Sequence, residues 1–168
     1  SFIKNEYATI NPWNADLLLE HGDGRFGLYD ASGKFLKMTL ILASEEPRWS
    51  RTNSDLLYKT SYARPNVLER YRINGDTTDV LHVFSEYSRV DGLGEGDISE
   101  DGTHLALQGS DASGGNEPFV FEAFIFDLQT HAKTNLFRPD KDAVVNSVMV
   151  TPDNNLLVDH DGVWIIDA

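Results

Sequence analysis

One stretch of sequence grammar recurs four times in this chain, and a repeat of that period leaves few folds open. The copies are Ile10-Asn11-Pro12-Trp13-Asn14-Ala15-Asp16-Leu17-Leu18-Leu19, then Trp49-Ser50-Arg51-Thr52-Asn53-Ser54-Asp55-Leu56-Leu57-Tyr58. Ile98-Ser99-Glu100-Asp101-Gly102-Thr103-His104-Leu105-Ala106-Leu107 follows, then Val150-Thr151-Pro152-Asp153-Asn154-Asn155-Leu156-Leu157-Val158, one residue shorter. Each copy sets an apolar residue before a polar turn and an apolar run after it. Proline presets φ in such a turn, Asn and Asp side chains cap it, and glycine supplies positive φ. The run that follows reads as a buried strand.

A second strand then closes on a polar residue: Phe26-Gly27-Leu28-Tyr29-Asp30, Tyr71-Arg72-Ile73-Asn74, Phe124-Ile125-Phe126-Asp127 and Trp164-Ile165-Ile166-Asp167. In the first three copies a turn and another short strand come after it. The anchors Ile10, Trp49, Ile98 and Val150 lie 39, 49 and 52 residues apart. Four antiparallel strands in about 40–50 residues is the period of a β-propeller blade. Helix-period patterning is absent. The expectation is an all-β chain, with an antiparallel sandwich as the alternative. Strands are expected near 17–20, 26–30, 56–60, 69–73, 104–109, 121–127, 155–159 and 163–166, in units 8–40, 46–85, 96–137 and 146–168. Trp13, Trp49 and Trp164 are expected to be buried, with Leu18, Leu57, Leu105, Leu157 and Ile125 packing between blade faces.

The fourth unit stops at Ile166-Asp167-Ala168, after its third strand. Propellers close with typically four to eight blades. About 3.5–4 blades therefore read as part of a larger propeller, the remaining blades coming from the same polypeptide or a second copy. The alternative is a closed four-bladed ring whose last strand is the Phe2-Ile3 segment.

Charge and composition exclude several classes of function. The net charge is −13, from 27 acidic and 14 basic residues. Such a surface repels phosphate backbones and anionic lipid, so neither nucleic acid nor a membrane is an expected partner. No apolar run approaches the roughly 20 residues of a membrane span, and Ser1-Phe2-Ile3-Lys4-Asn5 is not a signal peptide. With no cysteine, the chain has no disulfide, thiolate nucleophile or Cys-based zinc site.

The grammar resembles the TolB-like propeller repeat, whose signature runs W-S-P-D-G, apolar strand, aromatic strand ending in Asp, then T-G. Pro47-Arg48-Trp49-Ser50, Ile98-Ser99-Glu100-Asp101-Gly102 and Val150-Thr151-Pro152-Asp153 carry it best, while the second copy has Arg51-Thr52-Asn53 in place of Pro-Asp-Gly. The resemblance covers nearly the whole chain and implies a fold, not a reaction. Such blades occur in bacterial periplasmic translocation proteins, peptidase propellers and carbohydrate-active enzymes, so it also implies a periplasmic or secreted location.

Propeller sites usually lie on the face carrying the loops between second and third strands and the loops joining blades. Tyr62, Arg64, Tyr87 and Arg89 place aromatic and basic side chains on such loops; an Arg fork suits a carboxylate or sulfate, and Tyr can stack on a sugar. They are the candidate ligand-binding residues, for a carbohydrate or a peptide. His21 with Asp23, and His160 with Asp161, sit at matching positions of units one and four. They suit a divalent cation of the calcium or zinc/manganese class, or are hairpin turns with exposed side chains. Gly109 to Pro118 forms a long loop, either a binding loop or a surface excursion. Leu93-Gly94-Glu95-Gly96 lacks the lysine and following helix of a phosphate loop. No Gly-x-Ser-x-Gly elbow or His-Glu-x-x-His helix is present. The expected function is a binding and scaffolding surface without catalysis in this segment. The alternatives are half of a carbohydrate-active enzyme such as a polysaccharide lyase, or a peptidase-associated propeller.

Overall fold

The computed structural model describes residues 3–92, 98–111, 119–138, 145, 147–159 and 162–166. Its strands form four antiparallel sheets in chain order. The first contains β1 (Ile3–Ile10), β2 (Leu17–His21), β3 (Arg25–Tyr29) and β4 (Phe35–Leu42). The second contains β5 (Arg48–Trp49), β6 (Leu56–Thr60), β7 (Val67–Arg72) and β8 (Thr77–Val83). The third contains β9 (Arg89–Asp91), β10 (His104–Asp111), β11 (Phe119–Asp127) and β12 (Lys133–Phe137). The fourth has β13 (Ser147–Val150), β14 (Leu156–Asp159) and β15 (Val163–Ile166). Among the described residues the only helix is a single 3-10 turn, Ala43–Glu45. No helix there is long and apolar enough to cross a membrane. The four sheets are arranged as the blades of a propeller.

The repeated turn has one mechanism in every blade. The residue after each apolar anchor uses its side-chain oxygen to cap backbone N–H groups of the turn. Asn11 Oδ1 accepts from Trp13, Ser50 Oγ from Thr52 and Asn53, Ser99 Oγ from Thr103 and His104, and Thr151 Oγ1 from Asn155. Such side-chain caps satisfy backbone donors that have no ladder partner. The main chain closes the same turns through Asn11 N–H to Asp16, Ser50 to Leu56, Ser99 to His104 and Thr151 to Asn155.

Three apolar seams hold the sheets together. Leu18, Phe26, Leu28 and Ile41 pack on Trp49, Leu57, Tyr71 and Ile73. Tyr58, Leu68 and Phe84 pack on Val90, Leu105, Leu107, Phe124 and Phe126. Ala106, Ala123 and Ile125 pack on Val148, Leu156 and Val158. A middle blade thus buries both faces, which explains its unbroken apolar runs. Phe124 and Phe126 point to the second sheet, while Ala123 and Ile125 between them point to the fourth.

Register corrects part of the expected core. Trp49 is 4% exposed, but Trp13 is 56% and Trp164 52% exposed. Trp13 lies in the β1–β2 turn rather than on a strand. Trp164 shares a face with Val158, but on β15, where contact with the third sheet is thinnest because the sheets splay away from the axis. Leu18, Leu57, Leu105 and Ile125 are buried, whereas Leu157 is only half-buried and Leu156 and Val158 fill the seam. Ile3 pairs with His21 in the first sheet, not with β15, so the closing-strand arrangement at Ile3 is not adopted. Phe2 lies outside the described residues.

The outer faces of the first and fourth sheets are exposed and apolar. Ile10, Phe35 and Leu40 stand on one, and Met149, Val163 and Ile165 on the other.

Candidate functional site

Lys59 is the oddest residue in the second sheet, a charge directly after Leu56-Leu57-Tyr58 on a strand buried on both faces. By alternation it points the same way as Leu57, towards the first sheet, and it is 5% exposed. Two carboxylates compensate it there, Glu45 Oε1 and Glu69 Oε2, each 2.7 Å from Nζ. Glu69 is its cross-strand partner on β7, and Glu45 comes from the 3-10 turn joining the first two blades. Glu45 also accepts from the backbone N–H groups of Leu42, at 2.9 Å, and Tyr62, at 3.2 Å. The cluster fixes the blade junction to the loop between β6 and β7.

Above it opens a depression of about 180 Å³ lined by Ser44, Thr60, Ser61, Tyr62, Pro65, Arg89, Val90 and Asp91. It lies on the face expected from the loops. Tyr62 is 65% exposed at its wall, its backbone held by Glu45. Arg89 enters from β9, oriented by Asp91 with Nε–Oδ2 at 2.7 Å. Glu46, whose backbone adopts the left-handed conformation with φ 43°, lies close enough to feel Asp91, Arg89 and Arg48. Burial raises the Glu46 carboxyl above its ordinary value and Asp91 adds to the rise, while both arginines oppose it.

Two of the four sequence candidates for ligand binding therefore meet, Tyr62 and Arg89. Arg64 sits beside them on the same loop, half exposed, with Nη2 3.3 Å from Glu69. Tyr87 goes elsewhere. It is buried in the seam between second and third sheets, its hydroxyl donating to Glu122 and receiving a bond from Lys133 at 2.8 Å. Burial, helped by the Glu122 carboxylate, pushes its phenol well above the ordinary value. The same ring covers Gly109, where a Cβ would come within 2.5 Å of it.

The residues considered for a cation are engaged locally. His21 Nε2 is 2.7 Å from the Tyr29 hydroxyl and stacks on that ring. Asp23 is held by Arg25 at 2.7 Å, and that bond lowers its carboxyl below the usual range. His160 and Asp161 lie outside the described residues, as do 112–118 of the long loop and 93–97. Among the described residues no three His, Asp or Glu side chains group as a metal site would require.

Sequence reasoning missed Glu45, Glu46, Lys59 and Glu69. The usable signal was Lys59, since a lysine within an apolar strand buried on both faces needs a buried partner.

No protein-family profile matches this chain, and no curated protein matches it significantly. Fold and site together define the class, a β-propeller-like arrangement of four blades with a depression on its loop-bearing face.

Proposed function

We propose that the chain belongs to a TolB-like propeller and works as a binding and scaffolding module, with its ligand site at the Tyr62–Arg89 depression. One observation carries this reading: an exposed aromatic, on a loop fixed by a buried ion cluster, and an oriented guanidinium from β9 line the same depression. Rigid support beneath an exposed aromatic and an Arg is what preorganised recognition needs. The ligand is a carbohydrate or a peptide bearing a carboxylate, with the Arg89 fork on the carboxylate and Tyr62 against its apolar side. The exposed faces of the first and fourth sheets are covered by further blades, from the same polypeptide or a second copy, because contiguous exposed apolar sheet faces seldom stay bare.

Glycan and peptide arrays probed with the wild type, Tyr62→Ala and Arg89→Ala test the site, with light scattering on the same samples for association. Binders lost by both substitutions support the reading. Binders that both variants retain, or none at all from a properly folded sample, refute it.

A second reading, half of a carbohydrate-active enzyme such as a polysaccharide lyase, is favoured by the raised carboxyl of Glu46. A carboxyl shifted toward neutral pH beside Arg and Asp suits proton transfer. Turnover of uronate oligosaccharides by the full-length parent, followed through the absorbance of an unsaturated product and abolished by Glu46→Gln, would establish it. No turnover would remove it.

A further inference from the structure

The opposite end of the propeller axis carries a second depression that the loop-face site does not explain. It measures about 390 Å³ and is lined chiefly by Ile10, Trp13, Arg48, Trp49, Arg51 and Ile98, from the strands and turns of the first three blades. That volume lies at the small end of the range for ligand pockets, roughly 300–1,000 Å³.

Its chemistry runs against that of the chain. The protein carries a net charge of −13, yet among the described residues the lining holds the exposed Arg51 and also Arg48, which is already engaged and whose Nη1 donates to the Pro47 carbonyl at 3.4 Å. Trp13 is more than half exposed and still held in place. Its indole N–H donates to the Ser50 carbonyl at 3.2 Å, and its backbone N–H to Asn11 Oδ1 at 2.9 Å. Asn11 in turn donates through Nδ2 to the Ser54 carbonyl at 3.0 Å, which ties the turn of the first blade to that of the second. An exposed indole anchored through its N–H, on a turn braced by Asn11, is a platform that loses little freedom when something stacks on it. Trp49 lies beneath, buried, and its indole N–H finds no acceptor among the described residues. A buried N–H without a partner is uncommon and marks a place where a ligand or ordered water completes the bonding.

We propose that this depression is a binding site for a small ligand carrying a carboxylate on a ring. The ring lies on Trp13, and the carboxylate meets the guanidinium group of Arg51. A guanidinium fork matches a carboxylate in shape and charge, and an indole face accepts both the C–H face of a sugar and an aromatic ring. Two sources share this chemistry, a uronic acid and an aromatic carboxylate. The site stands independently of the Tyr62–Arg89 depression, since they share no residue and open at opposite ends of the axis.

The test is a tryptophan-fluorescence titration, with calorimetry alongside, using sodium glucuronate and sodium benzoate as probes and glucose and benzyl alcohol as their neutral counterparts. Saturable binding is expected from at least one carboxylate, and which one identifies the source. The matching neutral compound should bind at least tenfold more weakly. Arg51→Ala, at an exposed position, should weaken binding roughly tenfold to a hundredfold, the worth of a charge-assisted hydrogen bond. Trp13→Ala should abolish binding and Trp13→Phe should retain part of it, while Tyr62→Ala should change nothing. No saturable signal from either carboxylate, equal binding of the neutral compounds, or an unchanged Arg51→Ala variant overturns the proposal.

Discussion

Replacing Lys59 with methionine removes the one cation that lies between two buried carboxylates. Glu45 and Glu69 both approach Nζ at 2.7 Å, and all three side chains are nearly inaccessible. Methionine keeps most of the volume and makes no compensating bond, so two like charges face each other without solvent. Removing one partner of a buried ion pair costs about 3–5 kcal/mol. Here Glu45 keeps its bonds to the Leu42 and Tyr62 N–H groups and Glu69 keeps Arg64 at 3.3 Å, so both charges are only partly stranded and the lower end applies. A loss of about 3 kcal/mol is a large share of the 5–15 kcal/mol that holds a typical domain folded. Urea denaturation at neutral pH should show it as a midpoint shift of about 1.5 M for a slope near 2 kcal/mol per M. The double variant Lys59→Met/Glu69→Met removes the opposed charge as well and should recover at least half of the loss. A single variant that loses less than about 1 kcal/mol would show that the cluster is better solvated than its burial implies. A double variant no more stable than the single one would refute the electrostatic account outright.

Two further outcomes follow from register and from the repeated turn. Leu156→Ala and Leu57→Ala should each cost about 2–5 kcal/mol in chemical denaturation, and Leu157→Ala clearly less, because only the first two fill a seam. Equal losses at 156 and 157 would show that the phase of β14 is misread. Hydrogen bonds from Ser99 and Thr103 hold the Asp101 carboxyl at about 2, against 3.8 for the free group. Its folded value is depressed, so its contribution is present above pH 3.8 and is lost as pH falls toward 2. Wild type should therefore melt higher than Asp101→Asn at pH 6, and the gap, small at this exposed site, should close as pH falls through that window. A gap independent of pH would mean that the carboxylate charge plays no part.

The fold was legible because a propeller writes its architecture locally. A side-chain cap after each apolar anchor, a turn and a two-faced apolar strand are all short-range features. They recur at Asn11, Ser50, Ser99 and Thr151 whatever lies on the other side of the ring. All eight expected strands therefore fall within two residues of those observed. Closed turns also show why one core assignment slipped. The Ser99 bond spans to His104, while that of Thr151 reaches only Asn155. Leu156 is thus the counterpart of Leu57 and Leu105, each facing the preceding blade, and Leu157 corresponds to Ala106, facing onward. The shorter fourth turn moves the strand phase by one residue, which exchanges the two faces and puts Leu157 on the outer side.

The candidate sites were legible only in part, because convergence belongs to the ring and not to the repeat. Tyr62 and Arg89 come together since the β6–β7 loop and β9 rise at the same end of neighbouring blades. Tyr87, two residues before Arg89, turns instead into the seam, where it fills the space that Gly109 leaves. Trp13 reads in sequence like the buried Trp49, but its place in a turn puts it at the mouth of the axis beside Arg48 and Arg51. The sequence by itself determined the blades, their order and most of their buried faces, since strand period and turn chemistry act over a few residues. Which side chains share a depression, and which charges are buried together, was decided by tertiary structure. Those neighbours are set by how whole sheets stack about an axis, a long-range arrangement that no local pattern encodes.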